Sequence, residues 1–112
     1  MIELTNYVKL YIPSTVNGAQ SASQNLVNET IDGVVTLFSQ WFGGATQEIA
    51  QGAWYSEEHG IVREPVTLVT AFCTPDALAE FEANVIQLCV AIKQKFSQES
   101  VAMERSGSLI LV

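Results

Sequence analysis

The chain has 112 residues, of which 48% are apolar and only 15% are charged, a composition typical of a folded globular protein and not of a disordered one. Twelve acidic residues against five basic ones give a net charge of -7. Because the basic residues are scattered along the chain, no basic patch favours binding to DNA or RNA, which depends on neutralising phosphates.

The length predicts one domain over residues 1–112, since a chain of this size buries roughly two-thirds of the surface that it exposes when unfolded. The N-terminus lacks the pattern of a signal peptide, and no segment approaches the roughly 20 apolar residues of a membrane span. Cys73 and Cys89 lie in apolar surroundings, which suits buried thiols in a reducing compartment. We therefore expect a cytoplasmic protein without disulfide, cofactor or metal.

The first third of the chain predicts a strand followed by a helix. Residues 4–12 alternate between two faces and end at Pro13, and residues 14–21 form a turn-rich connection. From Ser23, apolar residues recur every three or four positions and predict a helix of about five turns, in which Gly33 permits a close backbone approach. Gly43 is expected to end this helix in the left-handed conformation. The strand has Val8, Leu10 and Ile12 on its core face and Tyr7, Lys9 and Tyr11 on the other.

The middle of the chain predicts a β-hairpin, with strands at residues 45–55 and 61–73 joined by a polar loop that Gly60 closes. Pro65 cannot donate a ladder hydrogen bond, so full pairing should begin after it, with residues 61–64 on a hairpin extension. Both faces of the second strand are largely apolar. We expect Val69 and Ala71 on the face that the helices leave uncovered, together with Tyr7 and Tyr11.

A second helix begins at Thr74-Pro75-Asp76, where Thr caps, Pro fits the first helical position and Asp complements the helix dipole. Apolar residues from Leu78 to Phe96 keep a helical period, and the tail from Val101 predicts one or two final strands. The whole order is that of an α+β, ferredoxin-like βαββαβ sandwich with both helices on one face of an antiparallel sheet. The uncovered face predicts a homo-oligomer, most simply a dimer.

Candidate site residues concentrate in the hairpin. His59 follows Glu57 and Glu58 at the predicted tip, where it is either a solvated side chain or a general base. Glu64 is a second catalytic candidate, and Arg63, expected on the uncovered face, could bind an anion or a carboxylate of another subunit. The remaining candidates for ligand or interface contacts are aromatic: Trp54, Tyr55, Tyr7 and Tyr11.

Other motifs favour structural roles. Gly43-Gly44 lacks the lysine and hydroxyl residue of a phosphate-binding loop, so it is interpreted as a helix end. Cys73 precedes a helix N-terminus, where the dipole could activate it, but no neighbouring partner is present in the sequence. Trp41, Phe42 and Trp54 are interpreted as side chains that anchor the core and the sheet edge. The polar N–H groups of the two tryptophans suit a half-buried interface.

The segments Trp41-Phe-Gly-Gly-Ala-Thr46 and Gly52-x-Trp54, with Gly60 and Glu64 before an apolar strand, resemble a pattern of small bacterial, plasmid and phage proteins without an assigned activity. The resemblance covers roughly residues 7–72. It implies a compact α/β domain and transfers no catalytic residue.

Three functions remain open at this point, and the sequence favours the first. The first is a non-enzymatic, oligomeric protein that binds a small ligand at a subunit interface or a protein partner. The second is a small dimeric α/β-barrel-type enzyme in which His59, Arg63 and Glu64 line the opening. The third is an acidic inhibitor that presents Glu57 and Glu58 to a nucleic-acid-binding protein.

Overall fold

A computed structural model of the protein describes residues 1–17 and 20–112, and it contains the predicted order of strands and helices. A short two-stranded ribbon, not predicted, lies within the connection at residues 14–21, of which residues 18 and 19 lie outside the described part. The elements are β1 (Asn6–Pro13), β2 (Thr15–Val16), β3 (Gln20–Ser21), α1 (Gln24–Phe42), β4 (Thr46–Ser56), β5 (Gly60–Cys73), α2 (Pro75–Lys95), β6 (Ala102–Arg105) and β7 (Ser108–Leu111).

The main sheet has the strand order β4-β5-β1-β6-β7, and every neighbouring pair is antiparallel. Without β7 this is the order of a ferredoxin-like domain. The predicted α+β, ferredoxin-like fold is therefore confirmed, with β7 as an additional C-terminal strand at the edge. Ser106 and Gly107 join β6 to β7 with φ values of 47° and 96°, because a two-residue hairpin of type I′ requires positive φ at both positions.

Helix α1 begins and ends where the sequence predicts. The Ser23 hydroxyl caps it by accepting the backbone N–H of Leu26 at 3.1 Å. Gly43 ends it at φ 93° and donates its N–H to the Ser39 carbonyl at 2.9 Å. The close approach expected at Gly33 is wrong, since a Cβ built there meets no atom within 4 Å.

Helix α2 is also capped as expected. The Thr74 side chain accepts a backbone N–H of the first turn, and Pro75 occupies the start of the helix. Asp76 lies in the first turn, and Lys93 and Lys95 lie in the last, so both ends complement the helix dipole. No helix among the described residues is long and apolar enough to cross a membrane.

The core lies between the two helices and one face of the sheet. The prediction that Val69 and Ala71 lie on the uncovered face is wrong, since both are buried. They pair with Leu10 and Val8 of β1, and residues directly opposite each other in a ladder point to the same side. The apolar pattern of β5 could not decide its orientation because both of its faces are apolar. The buried core also includes Ile12, Ile31, Val34, Phe38, Val85, Cys89, Ile92, Phe96, Val101 and Met103.

Strands β4 and β5 extend beyond the rest of the sheet as an arm, defined here as residues 51–65. Strand β5 pairs with β4 down to the Ser56 and Gly60 pair, but with β1 only from Val66 onward. Pairing on both sides thus begins directly after Pro65, as expected. The arm contributes to the elongated shape of the molecule, whose extents are 49 × 26 × 23 Å.

Candidate functional site

The open face is the side of the sheet that neither helix covers. A cleft of about 640 Å³ lies at one end of this face, a volume within the range of small-molecule sites. Alternate positions of β1, β4 and β5 supply one part of its lining, and the corner between α1 and β4 supplies another. The side chains that give the cleft its chemistry are Tyr7, Lys9, Phe42, Thr46, Glu48, Thr70 and Phe72.

The corner of the cleft follows from the end of α1. Because Gly43 adopts the left-handed conformation, the chain turns sharply after Phe42 and enters β4 at Thr46. Gly43 and Gly44 therefore form a wall without side chains next to the open face. The interpretation of this pair as a helix end is confirmed, but the sequence did not predict that it also lines a cleft.

The floor of the cleft combines aromatic faces with charges of both signs. The rings of Tyr7 and Phe72 lie 5.4 Å apart, tilted by 46°, because the two residues are paired between β1 and β5. Lys9 pairs with Thr70, which pairs with Thr46, whereas Glu48 lies two residues farther along β4. With about 4.8 Å between strands and 3.4 Å per residue, the Lys9 and Glu48 backbones are about 12 Å apart.

A polar network adjoins this cleft and centres on the Glu104 carboxylate of β6. Tyr7 donates its hydroxyl proton to one carboxylate oxygen at 2.8 Å, and Tyr11 donates to the other. The Lys9 ammonium lies 3.8 Å from Glu104 and 5.9 Å from the centre of the Tyr7 ring. Because Glu104 is paired with Lys9 across β1 and β6, three alternate side chains of β1 converge on one carboxylate.

This network fixes the protonation of its members. Hydrogen bonds from Tyr11 and Tyr7, aided by the Lys9 charge, lower the pKa of Glu104. The bond to Glu104, together with burial, raises the pKa of Tyr11 to about 12 and also raises the pKa of Tyr7. At neutral pH the carboxylate is charged and both phenols are protonated, so the direction of each hydrogen bond is set.

The structure separates the other predicted candidates from the cleft. Trp54, Tyr55 and His59 lie on the arm and are largely exposed. The His59 ring is 3.7 Å from the Glu58 carboxylate at the tip. The placement of Arg63 on the uncovered face is wrong, because its register in β5 puts it on the same side as the buried Val69.

His59 and Glu64 do not form a catalytic pair. Glu64 lies on the open-face side of the arm, opposite Gly52, and its carboxylate accepts the Thr15 hydroxyl at 3.0 Å. Glu64 lies four positions after Gly60, which corresponds to about 13 Å along a strand. The structure thus gives Glu64 a contact with the loop before α1 instead of a contact with the tip.

Thiol and metal chemistry find no support in the described part of the chain. Cys73 and Cys89 are buried and not bonded to each other. Burial raises the pKa of the Cys73 thiol above its usual range and that of Cys89 to about 11, the opposite of activation. No group of three metal-binding side chains occurs among residues 1–17 and 20–112.

The sequence analysis missed most residues of the site, among them Lys9, Glu48, Phe72 and Glu104. Lys9 lies between Tyr7 and Tyr11 in the alternating strand, which was a sufficient signal. In the tail, Glu104 follows the buried Met103, so alternation places it on the open face. Its partners in β1 are more than 90 positions away, and no sequence pattern identifies them.

Comparison with known proteins finds the same fold in two kinds of protein, while no protein-family model and no curated protein match the chain. A phage SAM lyase in its apo state aligns with a TM-score of 0.65 and 13% identity, covering 100% of this chain and 94% of that one. A phage SAM lyase in complex with S-methyl-5'-thioadenosine aligns with a TM-score of 0.59 and 15% identity, covering 96% and 88%.

The second kind of protein is CutA from Pyrococcus horikoshii, whose crystal structure was determined in the presence of 3 M guanidine hydrochloride. It aligns with a TM-score of 0.53 and 14% identity, covering 89% of this chain and 80% of that one. At these identities the similarity establishes the fold, and the chemistry has to be argued from the residues of this chain.

Proposed function

We propose that this protein binds S-adenosylmethionine in the cleft of the open face and cleaves it to S-methyl-5'-thioadenosine. The observation that carries the proposal is the composition of the cleft, which combines two aromatic faces, one cation and one carboxylate in about 640 Å³. The fold shared with a phage SAM lyase supports it. This activity differs from the non-enzymatic function that the sequence favours.

Each part of the substrate has a counterpart in the cleft. Phe72 and Tyr7 offer aromatic faces for the adenine, since base stacking on such side chains is favourable for any base. The Lys9 ammonium suits the carboxylate of the amino-acid part, and the Glu48 carboxylate suits its ammonium. The backbones of Lys9 and Glu48 are about 12 Å apart, so their side chains can approach one ligand from opposite sides.

The proposed reaction needs neither a general acid nor a general base. The bond between the sulfonium sulfur and the γ-carbon of the amino-acid part breaks, and its electron pair stays on sulfur as a neutral thioether. The carboxylate of the substrate attacks the same carbon and closes a lactone. Atoms and charge balance without water or an added proton, so the protein contributes by holding the carboxylate in line with the carbon that it attacks.

Incubation of the purified protein with S-adenosylmethionine, followed by mass spectrometry, tests this proposal. We expect S-methyl-5'-thioadenosine and the lactone to accumulate together. Replacing Phe72 with Ala should lower the rate at limiting substrate by roughly 5- to 150-fold, the equivalent of one lost base stack. The His59→Ala variant is the control and should retain the full rate.

Two outcomes would contradict the proposal. Failure of the wild-type protein to release S-methyl-5'-thioadenosine would exclude the lyase activity. A loss of activity in His59→Ala with full activity in Phe72→Ala would move the site to the arm, as the α/β-barrel-type enzyme requires.

We further propose that the protein is a homo-oligomer whose contacts use the open face. Phe72, Leu109 and Leu111 lie on this face and are 53%, 61% and 66% exposed in the single chain. Apolar side chains that share one face are typical of an interaction surface. Native mass spectrometry should show more than one subunit, and a strict monomer at micromolar concentration without binding of a hydrophobic dye would exclude this arrangement.

If the protein oligomerises and binds S-adenosylmethionine without cleaving it, the non-enzymatic binding function that the sequence favoured applies. The same mass spectrum would distinguish this case, because the intact ligand would stay bound to the oligomer. An oligomer that retains a different small molecule, or none, would point to another ligand or to a protein partner.

A further inference from the structure

Two threonines form a polar pair in the floor of the cleft, next to its aromatic side chains. Thr46 of β4 and Thr70 of β5 are directly paired in the ladder, and both line the cleft. Val69 and Ala71, on either side of Thr70, are buried, so alternation directs Thr70 to the open face. Residues directly opposite each other point to the same side, with Cβ atoms about 4.5–5.5 Å apart, and Thr46 therefore points to this face as well.

The hydroxyls of both threonines are available to a ligand. The oxygen is bound directly to Cβ, so in every rotamer it lies on the side of the sheet to which the Cβ points. The hydroxyls of Thr15, Thr30 and Thr74 form hydrogen bonds within the protein. Among residues 1–17 and 20–112, no such bond engages the hydroxyl of Thr46 or Thr70. Each can therefore donate its proton to a ligand and accept a hydrogen bond in return.

The position of the pair relative to Phe72 matches that of a ribose relative to its base. Phe72, an aromatic face proposed for the adenine, follows Thr70 by two residues in β5, which is about 7 Å along the strand. Since the ribose is bonded directly to the adenine, a base on Phe72 can place its ribose over the threonine pair. Lys9 and Glu48 are then left for the amino-acid part of the ligand.

We propose that Thr46 and Thr70 bind the 2'- and 3'-hydroxyls of the ribose and make the cleft select ribonucleosides over their deoxy forms. The two ribose hydroxyls are neighbours on one side of the sugar, and each can donate and accept a hydrogen bond, as the threonine hydroxyls can. This inference rests on the proposed binding of S-adenosylmethionine and adds to it the residues that recognise the sugar.

Titration calorimetry with S-methyl-5'-thioadenosine and its 2',3'-dideoxy analogue tests the inference. Neither compound contains the amino-acid part or the bond that is cleaved, so the comparison isolates the two hydroxyls. We expect the wild-type protein to bind S-methyl-5'-thioadenosine about fivefold more tightly or better, the effect of two hydrogen bonds between neutral groups. Most of this preference should disappear in the double variant Thr46→Val/Thr70→Val, because valine keeps the shape of threonine and lacks the hydroxyl.

Thr67→Val is the matched control. Thr67 belongs to the same strand as Thr70 but is buried on the other side of the sheet, so its replacement should leave the preference unchanged. The single variant Thr46→Val keeps the inference testable if the double variant does not fold, since Thr46 is exposed on the edge strand β4. It should lose part of the preference.

Equal binding of both compounds by the wild-type protein would overturn the inference and leave the proposed ligand class intact. A preference that persists in the double variant and disappears in Glu48→Gln would also overturn it, because the carboxylate would then bind the ribose. If neither compound binds while S-adenosylmethionine is still cleaved, the inference alone fails. If S-adenosylmethionine is neither bound nor cleaved, the proposed function fails, and the inference fails with it.

Discussion

The two faces of the sheet can be distinguished by truncating one phenylalanine on each side of it. Phe38 of α1 is completely buried and packs against the rings of Trp41 and Phe42. Phe72 of β5 lies on the open face, 53% exposed, with the Tyr7 ring as its aromatic neighbour. Replacing each by Ala removes the same atoms from two environments that the fold makes very different.

The expected costs follow from this difference in burial. Truncating a fully buried phenylalanine typically costs about 3–5 kcal/mol, a large part of the roughly 5–15 kcal/mol that stabilises a domain of this kind. Phe38→Ala should therefore lower the melting temperature by about 12–20 °C, at about 4 °C per kcal/mol. Only about half of the Phe72 side chain is buried, so Phe72→Ala should lower the free energy of unfolding by about 1 kcal/mol.

Urea unfolding, monitored by circular dichroism at several protein concentrations, measures the loss in free energy of unfolding for each variant. Equal costs for the two variants at a concentration where the chain is monomeric would refute the assignment of the faces. A cost for Phe72→Ala that increases with protein concentration would instead show that another subunit covers the open face, because stability then depends on association.

Three further substitutions test local features of the chain. Gly43→Ala should destabilise the protein by about 1 kcal/mol or more in thermal melts, since alanine is strained at a φ of 93°, whereas Gly44→Ala, whose added Cβ would meet no atom within 4 Å, should cost less. Thr74→Ala should cost about 1 kcal/mol through loss of the cap of α2, and an unchanged melt would show that the cap contributes nothing. Well above pH 4.5, the ordinary pKa of a glutamate, the charged Glu104 contributes fully to the free energy of unfolding. This contribution decreases as the pH falls through the lowered pKa of Glu104 in the folded protein. The Glu104→Gln variant should lack this decrease, and identical acid-unfolding profiles of the variant and the wild type would contradict the prediction.

The sequence predicted the order of the main strands and helices because local signals mark where most of these elements begin and end. Helix α1 ends at Gly43 because this glycine adopts the left-handed conformation, and α2 begins after Thr74 because the Thr74 side chain caps it. The alternation of β1 likewise identified its buried face. For β5 the local signal was absent, since both faces are apolar, and only the ladder with β1 shows that Val69 points to the core.

The candidate site could be predicted only in part, for the same reason. Tyr7 and Tyr11 were identified because one strand contains both. The cleft joins segments from residues 4–9, 42–48 and 70–72, and the network adds Glu104 from the far end of the chain. Which segments meet depends on the order of the strands in the sheet. The sequence analysis therefore placed most site candidates in the hairpin that contains the histidine.

The location of the cleft connects the proposed ligand binding with the proposed assembly into an oligomer. Tyr7 and Phe72 line the cleft, and they share the open face with Leu109 and Leu111 at the opposite edge of the sheet. A subunit packed over that face would remove water from the side of the cleft that is open in a single chain. Contacts between the Lys9 and Glu48 charges and a zwitterionic ligand would then be stronger, because their strength increases as the surroundings become less polar. Assembly and ligand binding should therefore support each other in this fold, and the apolar residues around the cleft would contribute to binding without touching the ligand.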